Sequence, residues 1–355
     1  MLVVALMALA GCGGATTPAE GTTTADAQPV PDTLTIAMTG DIMLGTTFPT
    51  SRLPVNDGRE IFVDCDSILR AANVACGNLE GVLADSGRPR KNPESRFAFS
   101  FLMPTRNAPR LVEAGFDFMG IANNHIYDFW DEGAASTIST LEALGMGYAG
   151  RKECESAVKE IDGVKYGFCA FGHEDYCLRT QDTATVRRII GQLRGRADVV
   201  IVCFHGGSEG SACRHLPYET EYFQGDDRGN LREFAHFAID CGAHIVYGHG
   251  PHVVRAIELY KGHLVAYSLG NFATPVGMGV TGLTGYAPLL TARLNSLTGE
   301  LVDGKIHSFI QQPGKGPRRD PKCLVAAEIR TLTLEDIPDN KLQIAHDGTI
   351  TIIKK

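Results

Sequence analysis

Nine residues in this chain have the types and the setting for metal chemistry: Asp41, Asn78, Glu80, Asn124, His125, Asp128, His205, His249 and His252. Each stands at or just past the end of a short apolar run, and glycines sit beside several of them (Gly40, Gly77, Gly206, Gly248). Taken singly, an Asn-Asn-His turn is an ordinary turn, and a histidine on an apolar strand is an ordinary core residue. Five separate strands that all end in Asp, Glu, Asn or His are not explained that way. Carboxylate, imidazole and amide oxygen together suit borderline or hard divalent ions such as Zn²⁺, Mn²⁺ or Fe²⁺. Two such ions sharing a carboxylate would polarise an ester and supply a nucleophile at neutral pH. The adjacent glycines allow the tight turns and close backbone approach that such a cluster requires.

The elements that must position these residues follow from the hydrophobic pattern. Strands are expected over Leu34–Thr39, Val74–Cys76, Phe116–Ala122, Val164–Phe171, Asp198–Phe204, Ala243–Tyr247, Val253–Leu259 and Leu264–Tyr267. Helices are expected over Arg59–Ala72, Pro104–Gly115, Asp131–Gly145 (with Asp131 as N-cap), Thr183–Leu193 and Asn230–Cys241. Alternation of this kind gives an α/β fold of βαβ units, whose ligands gather at the C-terminal ends of parallel strands. Ala84–Glu94 reads as an exposed polar loop and Gly277–Gly285 as a glycine-rich loop. The last part, 296–355, reads as a strand-rich extension, with strands over Lys305–Gln311, Val325–Leu334 and Thr349–Ile353 after one over Ala287–Leu294.

With 355 residues, 44% of them hydrophobic, the chain can bury a large core. Its net charge of −8 and scattered Lys and Arg argue against a nucleic-acid partner. Residues 1–12 form a short apolar run ending Leu9-Ala10-Gly11-Cys12, similar to a lipoprotein signal in which Cys12 carries the lipid, although no Lys or Arg precedes the run. Residues 13–32, rich in Thr, Ala, Pro and Gly, read as a flexible linker, which leaves 33–355 as the folded domain. The expected place is therefore the cell envelope, lipid-anchored to a bacterial membrane with the domain outside the cytoplasm. Ten cysteines are present, and setting Cys12 aside leaves an odd number; Cys203 and Cys213 flank a loop and could pair. No C-x-x-C occurs, so neither a structural zinc site nor a redox pair is indicated.

Six segments together resemble the CapA (poly-γ-glutamate capsule biosynthesis) family, a branch of the calcineurin-like metallophosphoesterase superfamily. They are Gly40-Asp41-Ile42-Met43-Leu44-Gly45, Asn78-Leu79-Glu80, Ala122-Asn123-Asn124-His125-Ile126-Tyr127-Asp128, His205-Gly206-Gly207, Gly248-His249-Gly250-Pro251-His252-Val253 and Ser268-Leu269-Gly270-Asn271-Phe272. The resemblance implies a four-layer αββα metallophosphatase-like sandwich with mixed sheets. It implies divalent metal ions, two of them, held by Asp41, Glu80, Asn124, His205, His249 and His252. It also implies His125 as the catalytic imidazole, oriented by Asp128, with Asn78, Asn123, Ser268 and Asn271 lining the substrate site. The superfamily's first motif is Asp-x-His, whereas Asp41-Ile42-Met43 carries no histidine, which thins one of the two metal positions.

Three functions are compatible with these residues. One is metal-dependent hydrolysis of a phosphoester or related bond in surface-polymer biosynthesis. The second is a non-catalytic part of a capsule-synthesis or export assembly, and the third an amide hydrolase acting on the polymer. The retained imidazoles favour the first, and the missing histidine favours the second.

Overall fold

The protein is described by a computed structural model covering residues 31–92, 94 and 99–353. The expected lipidation at Cys12, and the linker up to residue 30, lie outside the described residues.

Two mixed sheets form the frame. In the larger, nine-stranded sheet, Thr33–Ile42 lies at the centre. It runs parallel to Val74–Leu79 on one side, and Phe118–Gly120 and Gly147–Ala149 continue that side in parallel. On its other side Leu289–Asn295, Leu301–His307, Thr349–Ile352 and Leu342–Ile344 follow in antiparallel order. In the six-stranded sheet, Val164–Phe171, Val199–His205, Ile245–His249 and His263–Ala266 are parallel, flanked by the antiparallel edges Ala157–Ile161 and Ile257–Tyr260. Every residue of Val199–His205 is buried, as its unbroken apolar sequence requires of a strand covered on both faces.

The sheets meet face to face. The Phe118 ring stacks on Phe168 at 5.2 Å, and a Cβ at Gly120 would come within 2.9 Å of Cys203 Sγ. Helices Thr183–Arg194 and Leu231–Asp240 cover the smaller sheet, each burying one apolar stripe (Val186, Ile189, Ile190, Leu193; Leu231, Phe234, Ala235, Ala238). Their N-caps, Asp182 and Asn230, accept hydrogen bonds from Thr185 N–H and Glu233 N–H. Asp66–Ala71, Pro109–Ala114 and Trp130–Ala143 lie against the larger sheet and its neighbouring loops, giving the expected sandwich of mixed sheets between helices.

Several local expectations are corrected. Val325–Leu334 is not a strand but part of a helix, Leu324–Asp336, whose buried Val325, Ala326, Ile329, Leu332 and Thr333 follow helical spacing. Arg59–Ala72 is helical only over Asp66–Ala71. Lys305–Gln311 breaks after His307, and Phe309–Gln312 turns away to pair with Gly316–Arg319. The helix expected from Asp131 begins at Trp130, which puts Asp131 in the first turn, where its carboxylate accepts from Tyr127 Oη–H. Val253–Leu259 becomes a strand only at Ile257, so that Gly250–Ala256 is free to form the loop carrying His252. Cys203 and Cys213 are both free thiols, Cys203 inside the core and Cys213 on a surface turn.

One buried histidine away from the strand-end cluster links the fold to pH. His244 accepts the Val200 N–H at Nδ1 (2.8 Å) with Arg194 at its other ring nitrogen. Burial first, then the charges of Arg194 and His263, pull it down to about 4. Its folded value lies below its unfolded one, so its stabilising contribution is complete above about pH 6.5 and is lost as pH falls toward 4, by roughly 3 kcal/mol. Replacing His244 with Asn keeps an acceptor near Nδ1 without a titrating ring. Urea unfolding curves of H244N are expected to lose about 3 kcal/mol less stability than wild type between pH 6.5 and 4, the share that His244 adds to that of the other buried histidines.

Candidate metal centre

Asp41 reaches the cluster because two chains approach very closely behind it. A Cβ on Gly40 would lie 2.0 Å from Gly270 O, and Asp41 N–H donates to that same carbonyl at 2.8 Å. Asn78 is the register partner of Asp41 on the neighbouring strand, and its Nδ2–H donates to Asp41 Oδ1 at 2.8 Å. Glu80 follows the end of that strand, with its N–H on Ile42 O. Asn123 ties the next strand end in, donating to Asn78 Oδ1 (3.1 Å) and Leu79 O (2.9 Å) while its Oδ1 accepts from His125 N–H (3.1 Å).

The smaller sheet supplies the imidazoles. His205 and His249 are register partners on adjacent parallel strands. His205 Nε2 lies 3.3 Å from Glu80 Oε1, and His249 Nδ1 lies 3.5 Å from Asp41 Oδ1. His252 sits in the loop beyond, in a left-handed conformation (φ 57°) that few non-glycine residues adopt. Its Nδ1–H faces Asn271 Oδ1 (3.0 Å) and Asp41 Oδ2 (3.2 Å), and its Nε2 lies 3.7 Å from Glu80 Oε1. Ligand atoms of Asp41, Glu80 and His205 all lie within 4.8 Å of one another.

The side chains here fit a divalent cation. Glu80 Oε2, Asn124 Oδ1, His205 Nδ1 and both ring nitrogens of His249 are buried without a hydrogen-bond partner among the described residues. Buried polar atoms are ordinarily paired, so such a concentration of free lone pairs needs a cation or comparable donor to justify it. Burial drives His205 down to about 3 and His249 down to about 4, which keeps both imidazoles neutral and able to donate to a metal. Burial would also lower His252, but Glu80, Asp41 and Glu209 outweigh it and hold it up at about 10.

Beside the carboxylates lies a second group. His125 Nδ1 is 2.7 Å from Asp128 Oδ2, and its Nε2 is 4.0 Å from Glu80 Oε1. Asp128 is fully buried; its Oδ2 also accepts from Phe101 N–H at 2.8 Å, and its Oδ1 lies 2.7 Å from Lys91 Nζ. Burial would raise its carboxyl, but the His125 ring and the Lys91 ammonium outweigh that and hold it below the usual range. Lys91 was expected in an exposed loop; it turns inward and also reaches Phe99 O and Asn124 O. Nothing in the local sequence marks it, since a loop lysine usually points to solvent.

Two more residues escape the sequence reading. His173 ends Val164–Phe171, is buried, and stacks its ring 6.0 Å from that of His205. Glu209, four residues after His205, faces the cavity, 4.0 Å from His252 Nε2 and 3.0 Å from Arg228 Nη1. An acid so close after a ligand histidine was a usable signal.

Three residues expected to line the substrate site do other work. Ser268 is buried, with Oγ–H on Val253 O and Gly270 N–H on its oxygen, so it closes a turn. Asn78 and Asn123 are buried with their amides on other site residues, and thus position the cluster. Asn271 does line the cavity.

The family model for the bacterial capsule synthesis protein PGA_cap matches residues 35–275. The chain belongs to the PGA_cap family. The PGA biosynthesis protein CapA of Bacillus subtilis (strain 168) is 26% identical over 264 residues, covering 69% of this chain and 64% of that protein. The capsule biosynthesis protein CapA of Bacillus anthracis is 26% identical over 265 residues, covering 69% and 60% respectively. The chain thus matches less than two thirds of the length of these PGA_cap relatives. A phosphatase from Mycoplasma pneumoniae superposes with a TM-score of 0.51 at 13% identity, over 79% of this chain and 95% of that one. This PGA_cap member therefore shares the fold of that phosphatase.

His205→Ala removes a donor from the cluster and is expected to lower bound metal measured by elemental analysis. Asn78→Ala removes the amide that orients Asp41 and accepts from Asn123, and should weaken metal affinity by about 10–100-fold with the fold retained. Unchanged metal content in both variants would contradict the assignment.

Proposed function

We propose that the chain is a metal-dependent hydrolase of a phosphoester or related bond, acting in capsule or similar surface-polymer biosynthesis at the cell envelope. The observation that carries this reading is the set of unpartnered buried donors around Asp41, Glu80 and His205, opening on a cavity of about 370 Å³ that His125 also lines. Asp41, Glu80, His205 and His249 would hold one ion, and a second on Asp41 and Glu80 would take His252 as a ligand only by displacing the ring proton that those carboxylates now hold there. Asn124, with its free buried Oδ1, lies on the turn that carries His125. A bound divalent ion supplies Lewis acidity and a nucleophile at neutral pH.

The remaining work falls to the chain's own side chains. Asp128 accepts Nδ1–H of His125 and so leaves Nε2 turned toward Glu80, placed to hold a proton for the leaving oxygen. Lys91 offsets the charge of Asp128 and keeps it from swinging away. Asn123 fixes the His125 backbone, and Asn271 holds His252. A non-catalytic scaffold role is favoured by one feature: Met43, where the superfamily pattern has an imidazole, is a fully buried apolar residue.

Metal analysis and an aryl-phosphate assay, with Mn²⁺ or Zn²⁺ added, separate the two. His125→Ala is expected to retain metal and to lose about 10²–10⁴-fold in kcat. Full metal content with no turnover in wild type would favour the scaffold.

The envelope location rests on the lipoprotein-like Leu9-Ala10-Gly11-Cys12. Cys12→Ala is expected to release the protein from the membrane fraction, and normal retention of that variant would sink the anchor.

A further inference from the structure

The cavity over the metal centre is lined by two unlike kinds of side chain. His125, His252, Asn271 and Glu209 are polar; Phe99, Phe101, Phe223 and Met278 are apolar, and the Phe101 ring lies directly beside that of His125. Phe99 stacks on Phe101 at 6.5 Å and is 56% exposed, an unusual position for a phenyl ring at the mouth of a site made of carboxylates and imidazoles. From the phenyl rings beside His125 we infer that the leaving group of the substrate is an uncharged, apolar, ring-sized alcohol. This inference rests on the hydrolase reading above and deepens it.

The location of the proton donor decides which part of the substrate meets the apolar wall. In hydrolysis a bond forms between a water-derived oxygen and the electrophilic centre, and the bond from that centre to the leaving oxygen breaks. The leaving oxygen takes its proton from His125 Nε2, so it must lie within hydrogen-bond reach of that atom. The first carbons beyond it then lie against Phe101, whose ring centroid is 4.4 Å from that of His125. Phe99, stacked behind Phe101, continues the same surface.

In a polyol, each hydroxyl turned toward Phe99 or Phe101 instead of Asn271 or Glu209 would be left unpaired, at a cost. An acidic leaving group would set its charge against the same rings, which have no donor to pair it. An apolar ring instead buries its surface against Phe99, Phe101 and Met278. The volume of about 370 Å³ accommodates one such ring together with the group being hydrolysed.

Benzylphosphonate and methylphosphonate, which are not hydrolysed, test this by calorimetry on the metal-loaded full chain. Benzylphosphonate is expected to bind about tenfold tighter or more. Phe99→Ser, at an exposed ring, and Phe223→Ala should each reduce that preference without changing metal content. Equal affinity for the two compounds, or no binding of either by protein that holds its metal, overturns the inference. So does a preference that survives both substitutions. Metal-dependent hydrolysis of ethyl phosphate as fast as benzyl phosphate would overturn it while leaving the hydrolase reading intact. Failure to take up metal overturns that reading and this one with it.

Discussion

Asp41 and Glu80 are carboxylates with no exposed surface, brought together at the ends of adjacent parallel strands. Two like charges in such a place are costly unless positive charge or donors surround them. The rest of the site is arranged around that demand. Asn78 gives Asp41 one hydrogen bond, His252 gives it another, and His205 and His249 approach from the facing sheet. Each of these comes from a different strand end or loop, so the sandwich must close correctly before the carboxylates can be tolerated. Folding and site assembly are therefore the same event here.

The loops that complete the site are held by a second buried ion pair. Arg255, fully buried, clamps Glu221 through two parallel bonds of 2.7 Å and donates from Nε to Cys213 O. Glu221 in turn accepts from Ser208 N–H, one residue before Glu209. The segment following His205 and the segment following His252 are thereby fastened to one another. Breaking one partner of such a pair leaves an uncompensated charge inside, which is why it enforces a single arrangement rather than adding much net stability. The strained backbone of His252 persists within that frame.

The cluster was legible in the sequence because its members lie at or just past the ends of apolar strands, and strand ends in a parallel sheet are brought together by the fold itself. Asp41, Glu80, His205, His249 and His252 are within a few ångströms of one another for that reason. The residues that escaped do not sit on that rule. Lys91 arrives from a loop whose path the hydrophobic pattern does not constrain, and Phe99 and Phe101 follow it on the same excursion. Ser268 departs the other way: its place beside a site motif suggested that it lines the substrate site, while its hydroxyl is committed to a turn. The helix Leu324–Asp336 was mistaken for a strand because a short apolar run carries no length signal, although its buried positions have helical spacing.

The methionine in Asp41-Ile42-Met43 looks like a simple loss of a ligand, but its surroundings give it a use. Met43 is fully buried, and the backbone of Gly277 lies so close over it that a Cβ there would come within 2.7 Å of Met43 Cε. Gly277, Met278 and Gly279 form one wall of the cavity, so Met43 seats the glycine-rich loop that encloses the substrate side. An imidazole at that position would bring a polar ring under an apolar wall and would need a partner of its own. His252, reaching both carboxylates from the opposite loop, makes that imidazole unnecessary for charge balance. The departure at Met43 and the apolar lining of the cavity thus belong to one arrangement, in which Met43 packs beneath the loop that brings Met278 to the cavity.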